Sequence, residues 1–352
     1  MPSAAPFHSG QRRVLRLPLS LSFQYLPRPW PREPHANRAF AKAQVRPGPD
    51  TQTSSRRDPT GAGRPSLPAA VVTYALAMAL PTPKENTTAI VTGASSGIGA
   101  AIARELARRG HGLTLVARRE DRLKSLAEEL AEAHSVRAEV IAADLTDADS
   151  RGALPDQLAA RGLTPDILVN NAGFTTMGAV YLSDRAAELA MVRTNVEAVV
   201  DLCTLFVPGM VTRHRGAVLN TASTAAFQPL PGQAGYGASK AFVLSYGRAL
   251  GAELRGTGVS VTTLCPGPVE TGFAETAGVT DEEAAQSLPK FMWVPVDDVA
   301  KAAVEGLASG RPVVIPGTAN RAGAGLAHLT PKALLLPLMA QRHPALKGGP
   351  AA

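Results

Sequence analysis

From Thr87 onward, short apolar runs alternate with stretches of helical spacing. Thr88-Ala89-Ile90-Val91 is a strand-length run that stops at a glycine turn, and Ile98, Ile102 and Leu106 then recur at helical intervals. The spacing predicts a helix over residues 98–109, with Gly110 where a C-cap belongs. Residues 113–117 and 138–142 are strand-like and flank a helical stretch at 122–133. A fourth strand is expected at 166–169, a fifth at 216–219, a sixth at 259–264 and a seventh at 312–315. Long helices are expected near 185–212 and 233–255. Strands that alternate with helices at this spacing need crossovers and therefore pair in parallel. The expected fold is α/β: a doubly wound, Rossmann-type parallel seven-stranded sheet with helices on both faces, in a single domain. No solenoid-type repeat is present. Ligands of such sheets bind beyond the carboxyl ends of the strands.

The first 83 residues break this pattern and carry 14 of the 29 prolines. They hold 11 Lys/Arg against 3 Asp/Glu, whereas the remaining 269 residues hold 25 against 26. The net charge of +7 is thus a property of the tail, and the hint of nucleic-acid binding it gives is set aside. Residues 1–83 are expected to be a disordered basic Pro/Arg-rich extension, residues 84–320 the folded domain, and residues 321–352 an apolar C-terminal segment. A transit peptide is the alternative for the tail, disfavoured by its prolines; a third reading starts the protein at Met78. The apolar run at 69–80 is 12 residues long, short of the ~20 that span a bilayer. No other run is long enough either, so no transmembrane helix is expected. With 45% hydrophobic residues the chain can bury a sizeable core. Cys203 and Cys265 alone make neither a disulfide framework nor a zinc site, which fits a reducing cytosol and a cytoplasmic location. The seven histidines are scattered, and no metal is expected.

Candidate chemistry begins with Thr92-Gly93-Ala94-Ser95-Ser96-Gly97-Ile98-Gly99, between the first strand and the first helix. Glycines allow a tight turn and close approach of a pyrophosphate, and the helix N-terminus offers free N–H groups to the anion. The spacing differs from G-x-G-x-x-G, and no Walker lysine is present. After the second strand, where an NAD-binding protein places a carboxylate, stand Arg118 and Arg119. A guanidinium can bind a 2′-phosphate that a carboxylate would repel, which favours NADP(H) over NAD(H).

Tyr236 and Lys240 are four apart in a helical stretch and project from one face. A cation beside a phenol favours phenolate and suits proton exchange with an alcohol oxygen. Ser223 lies 13 residues earlier, just past the fifth strand, either to hold a substrate oxygen or to serve as an N-cap.

On these residues, and on four further motifs, the stretch from about 87 to 317 resembles the short-chain dehydrogenase/reductase superfamily. The motifs are Asp144-Leu145-Thr146, Asn170-Asn171-Ala172-Gly173, Asn195-Val196-Glu197-Ala198 and Pro266-Gly267-Pro268-Val269, with Thr271 behind the last. The resemblance implies a catalytic tetrad of Asn195, Ser223, Tyr236 and Lys240. It also implies cofactor contacts from Gly93, Ser95, Ser96, Gly97, Ile98, Gly99, Arg118, Arg119, Asp144, Asn171, Ala172, Gly173, Tyr236, Lys240, Pro266, Gly267, Val269 and Thr271. The implied reaction is hydride exchange between NADP(H) and a carbonyl or secondary alcohol. Tyr236 would transfer the proton, Ser223 orient the carbonyl, Lys240 bind the nicotinamide ribose, and Asn195 hold a relay water. Family resemblance further implies a homodimer or homotetramer.

Substrate choice is expected in residues 272–295, where Phe273 and Phe291-Met292-Trp293 favour a hydrophobic compound or simply pack on the core. The apolar stretch 329–339 suits a pocket cap, a dimer contact or peripheral contact with a membrane. A non-catalytic NADP(H) sensor on the same fold is the rival reading.

Overall fold

The computed structural model describes residues 80–271, 289–342 and 346. The expected tail up to residue 79, with Met78, and residues 272–288 of the expected substrate segment, with Phe273, lie outside the described residues.

The elements follow the expected alternation. β1 (Thr87–Thr92) leads into α1 (Gly97–Arg108), and β2 (Leu113–Ala117) into α2 (Glu120–His134). After β3 (Ala138–Ala142) come two short helices, α3 (Ala148–Gly152) and α4 (Leu154–Ala160), and then β4 (Thr164–Asn170). A long run of α5 (Arg185–Val192), a π turn (Arg193–Glu197) and α6 (Ala198–Thr212) reaches β5 (Gly216–Thr221). α7 (Ala234–Glu253) precedes β6 (Val259–Leu264), and α8 (Val296–Ala308) precedes β7 (Val313–Val314). α9 (Thr318–Leu329) and α10 (Lys332–Arg342) follow, so the change expected at 320/321 falls inside α9. The seven strands are all parallel, in the order β3-β2-β1-β4-β5-β6-β7. This is the expected doubly wound sheet, and its strand order reverses between β1 and β4.

Successive strand side chains face opposite layers, and both layers are covered, which is why the strands read as nearly unbroken apolar runs. Ala89 and Val91 of β1 join Ile102 and Leu106 of α1 and Val299 and Ala303 of α8. Ile90, between them, joins Leu202, Phe206 and Met210 of α6 on the other face. Each fully buried leucine or isoleucine stabilises the packed layers by roughly 1.5–3 kcal/mol.

The run Arg185–Thr212 is long and apolar enough, by length and composition, to cross a membrane, which unbroken apolar runs did not reveal. Half of its most apolar window is buried, and α6 packs on the sheet, as a core helix does. β7 is shorter than expected. It pairs through Thr263 and Leu264, and Pro312, which has no N–H, offers its carbonyl to the Thr263 amide.

Candidate active site

The expected ligand-binding edge is assembled by hydrogen bonds between the ends of β1 and β4. The Thr92 hydroxyl donates to the Val169 carbonyl (3.1 Å) and accepts from the amides of Asn171 (2.9 Å) and Ala172 (3.1 Å). The Asn171 side chain donates back to the Thr92 carbonyl at 3.1 Å. The glycine loop is thereby stapled to the Asn170–Gly173 turn. Gly93 has φ +65°, and a Cβ there would stand 2.8 Å from Ala172 Cα, so the turn and the close approach both require glycine. Ile98 packs on the core at the start of α1. Thr271 lies against the loop at Gly97, whose Cβ position is 3.0 Å from the Thr271 Cβ.

The two arginines after β2 are not equivalent. Arg119 Nη2 donates to both loop hydroxyls, Ser95 Oγ at 3.0 Å and Ser96 Oγ at 2.9 Å. Ser96 is the N-cap of α1, yet its hydroxyl makes no capping bond. Arg118 is exposed. Of the two, the structure places the Arg119 guanidinium on the phosphate loop. Asp144 stands just past β3, its Oδ1 accepting from the Thr146 amide and hydroxyl, both at 2.9 Å. That bond pattern is a side-chain-closed turn.

The four tetrad candidates converge beyond β4, β5 and β6. Ser223 fulfils its N-cap reading. It caps the 3-10 turn Thr224–Phe227 by accepting from the Ala225 amide at 3.1 Å, and it hydrogen-bonds the Tyr236 phenol. Tyr236 and Lys240 lie in the first two turns of α7. The Lys240 ammonium is 5.8 Å from the Tyr236 ring centre and donates to the Thr221 carbonyl at 3.0 Å. Asn195 is buried in the π turn, which breaks the helix register at this residue. Its Nδ2 donates to the Phe174 carbonyl (3.0 Å) and to Ser239 Oγ (3.1 Å), and its Oδ1 accepts from the Phe174 amide (3.1 Å). Ser239 in turn donates to the Tyr236 carbonyl at 2.7 Å, coupling Asn195 to the tyrosine's turn of α7.

Electrostatics correct one expectation. The cation was expected to lower the phenol, but burial dominates both groups. Tyr236 is pushed up to about 12 by desolvation, against which the Ser223 hydrogen bond acts. Lys240 is pushed down to about 8, also by desolvation, with the neighbouring Cys265 opposing. The ammonium is aimed at a carbonyl dipole, with no carboxylate among its hydrogen-bond partners in the described residues, and burial outweighs that dipole.

The Pro-Gly segment closes the site from β6. The Pro266 carbonyl accepts from the Thr224 amide (2.9 Å) and from Ser223 Oγ (3.4 Å), tying it to the serine loop. Thr271 Oγ1 donates to the Val269 carbonyl at 3.4 Å, and Val269 packs on the core. Three features lay beyond sequence reasoning: the π turn at Asn195, the Ser239 link and the buried Asn320 beside Gly267. None carries a glycine or proline signal of its own.

A parallel seven-stranded sheet with a glycine loop at its switch point, and a Ser-Tyr-Lys cluster beside it, defines a dinucleotide-dependent class of enzyme. Residues 87–282 match the family model described as short chain dehydrogenase. The chain belongs to that family and is an oxidoreductase. It is 34% identical over 208 residues to 17-beta-hydroxysteroid dehydrogenase type 3 of Rattus norvegicus, covering 57% of this chain and 67% of the relative. It is 37% identical over 201 residues to sulfoacetaldehyde reductase 2 of Chromohalobacter salexigens, covering 56% and 79%. Among solved structures, a short-chain dehydrogenase from Sphingobium yanoikuyae in complex with NADPH superposes with TM-score 0.61 at 32% identity. That likeness covers 76% of this chain and 98% of the other.

Proposed function

We propose that this chain interconverts a carbonyl and a secondary alcohol with NADP(H), using Tyr236 as proton donor and acceptor. The observation that carries the reading is the Ser223–Tyr236 hydrogen bond, with buried Lys240 one helical turn away. The residues fit the coenzyme. The loop between β1 and α1 has the shape of a phosphate cradle, and Arg119 brings a guanidinium to its serines. The NADPH carried by the Sphingobium structure supports the same choice. A bound reduced nicotinamide supplies hydride to the carbonyl carbon.

The chain's own residues handle the proton. A phenol held at about 12 stays protonated at neutral pH and can donate to a developing alkoxide. Ser223 shares the phenol's hydrogen bond, so its hydroxyl is placed to orient the same substrate oxygen. Lys240 would bind the nicotinamide ribose and brings positive charge to the phenol as it becomes phenolate. Asn195 fixes Phe174 and Ser239, and through Ser239 the turn that carries Tyr236. Consumption of NADPH with a panel of steroid, fatty-acyl and small aromatic ketones tests the proposal. Turnover supports it; NADPH binding without turnover of any ketone favours the sensor reading.

A hydrophobic substrate is part of the proposal, supported by the apolar Phe291 and Trp293 beyond the Pro-Gly segment. A lipid-surface source for it is favoured by a separate observation. The 47 residues after Glu305 hold five Lys/Arg and no Asp/Glu. Phe291, Leu326, Leu329 and Leu334 are exposed apolar side chains in or next to that stretch. Sedimentation with anionic but not neutral vesicles, weakened in Leu326→Asp/Leu334→Asp, would support this arm. The proposal also includes a cytoplasmic homodimer or homotetramer, checked by ultracentrifugation.

A further inference from the structure

Asn320 is 1% exposed in the first turn of α9, and three separate segments meet at its side-chain amide. Nδ2 donates to the Met292 carbonyl at 2.9 Å and to the Pro316 carbonyl at 3.2 Å. Both nearby acceptors are carbonyls, so the nitrogen must face them and the amide has one satisfactory orientation. Its Oδ1 is buried without a hydrogen-bond partner among the described residues. The third segment is the Pro-Gly turn. A Cβ on Gly267 would overlap the Asn320 amide, so that backbone lies directly on the side chain.

These contacts join the two ends of the substrate segment. The 3-10 turn Lys290–Met292 is its returning limb, and the Val294 amide continues the join by donating to the Pro268 carbonyl at 3.2 Å. On the other side the Pro266 carbonyl holds Ser223 and Thr224. A polar side chain on a C-terminal helix is thus the clasp between the returning limb and the turn that carries the serine loop.

We propose that Asn320 is a positioning residue that latches the returning limb of the substrate segment to the Pro-Gly turn. It touches none of the reacting groups; it sets where the substrate wall stands relative to Ser223. This rests on the carbonyl-reductase reading for the wall's purpose, though not for the latch itself.

Asn320→Asp keeps the shape and turns two donor contacts into oxygen facing oxygen, and Asn320→Leu keeps the volume without a donor. Both should raise KM for the ketone roughly tenfold, as displaced binding walls do. kcat and the pH profile should stay near wild type, because Tyr236 and Lys240 are not in contact with Asn320. An unchanged ketone KM overturns the proposal, and so does a proportional loss in KM, kcat and coenzyme binding together. If both variants fail to fold, hydrogen exchange on the wild-type chain decides. A latched limb gives the Val294 amide protection comparable to that of Cys265, which donates to Val314 at 2.7 Å. Exchange as fast as in exposed turns overturns the latch. Exchange needs no turnover, so failure of the reductase reading is seen separately.

Discussion

Gly173 packs against the Asn195 side chain so closely that a Cβ on the glycine would stand 2.9 Å from Asn195 Oδ1. The same Cβ would stand 3.2 Å from the Lys240 ammonium. The smallest substitution therefore presses on two tetrad candidates at once. Gly173→Ala should cost about 1–3 kcal/mol in stability, the usual scale of overpacking. Its turnover should fall further than its population of folded protein, read by denaturant melts beside NADPH consumption. Equal losses in both would mean that the contact is only structural.

Arg119 carries the next expectation. Its guanidinium bonds both loop hydroxyls, and among the described residues Arg118 has no such bond. Arg119→Ala should weaken NADPH roughly ten- to hundredfold, the scale of a lost charge-assisted hydrogen bond, and leave NADH nearly unchanged. Arg118→Ala should have the smaller effect. Titration of both coenzymes by nicotinamide fluorescence checks this, and equal weakening of NADPH and NADH would remove Arg119 from a 2′-phosphate site.

Lys240 makes stability depend on pH. Its folded value of about 8 lies below its ordinary 10.5, so between those values the unfolded chain binds more protons than the folded one. Stability then rises with pH across that window, and below it the buried charge is a standing penalty. Other groups titrate there too, so the measurement is a difference. Wild type should gain stability relative to Lys240→Met from pH 8 to 10.5. A flat or falling difference in chemical melts contradicts the assigned burial.

Much of this was legible in the sequence, for identifiable reasons. Tyr236 and Lys240 were readable because helical geometry alone puts residues four apart on one face. The parallel pairing of the strands followed from crossovers of helix length between apolar runs. The bond from Arg119 to Ser95 and Ser96 was not readable, since it depends on how the chain leaves β2. The π turn at Asn195 was hidden because the run from 185 to 212 keeps its apolar spacing on both sides of it. Asn320 resembled any polar residue near a helix start. Its role comes from Met292 and Gly267, distant in the chain. The expected influence of the cation on the phenol failed for a general reason: spacing reports proximity, not desolvation.

Tyr236 as the proton-transferring group is the central element of the proposed chemistry. The direct measurement is Tyr236→Phe, with single-turnover ketone reduction followed at the nicotinamide band and NADPH binding measured on the same protein. The account predicts unchanged coenzyme binding and a rate lowered about 10²–10⁴-fold, the usual contribution of a positioned general acid. Reduction at the wild-type rate, with NADPH bound as tightly, would contradict it.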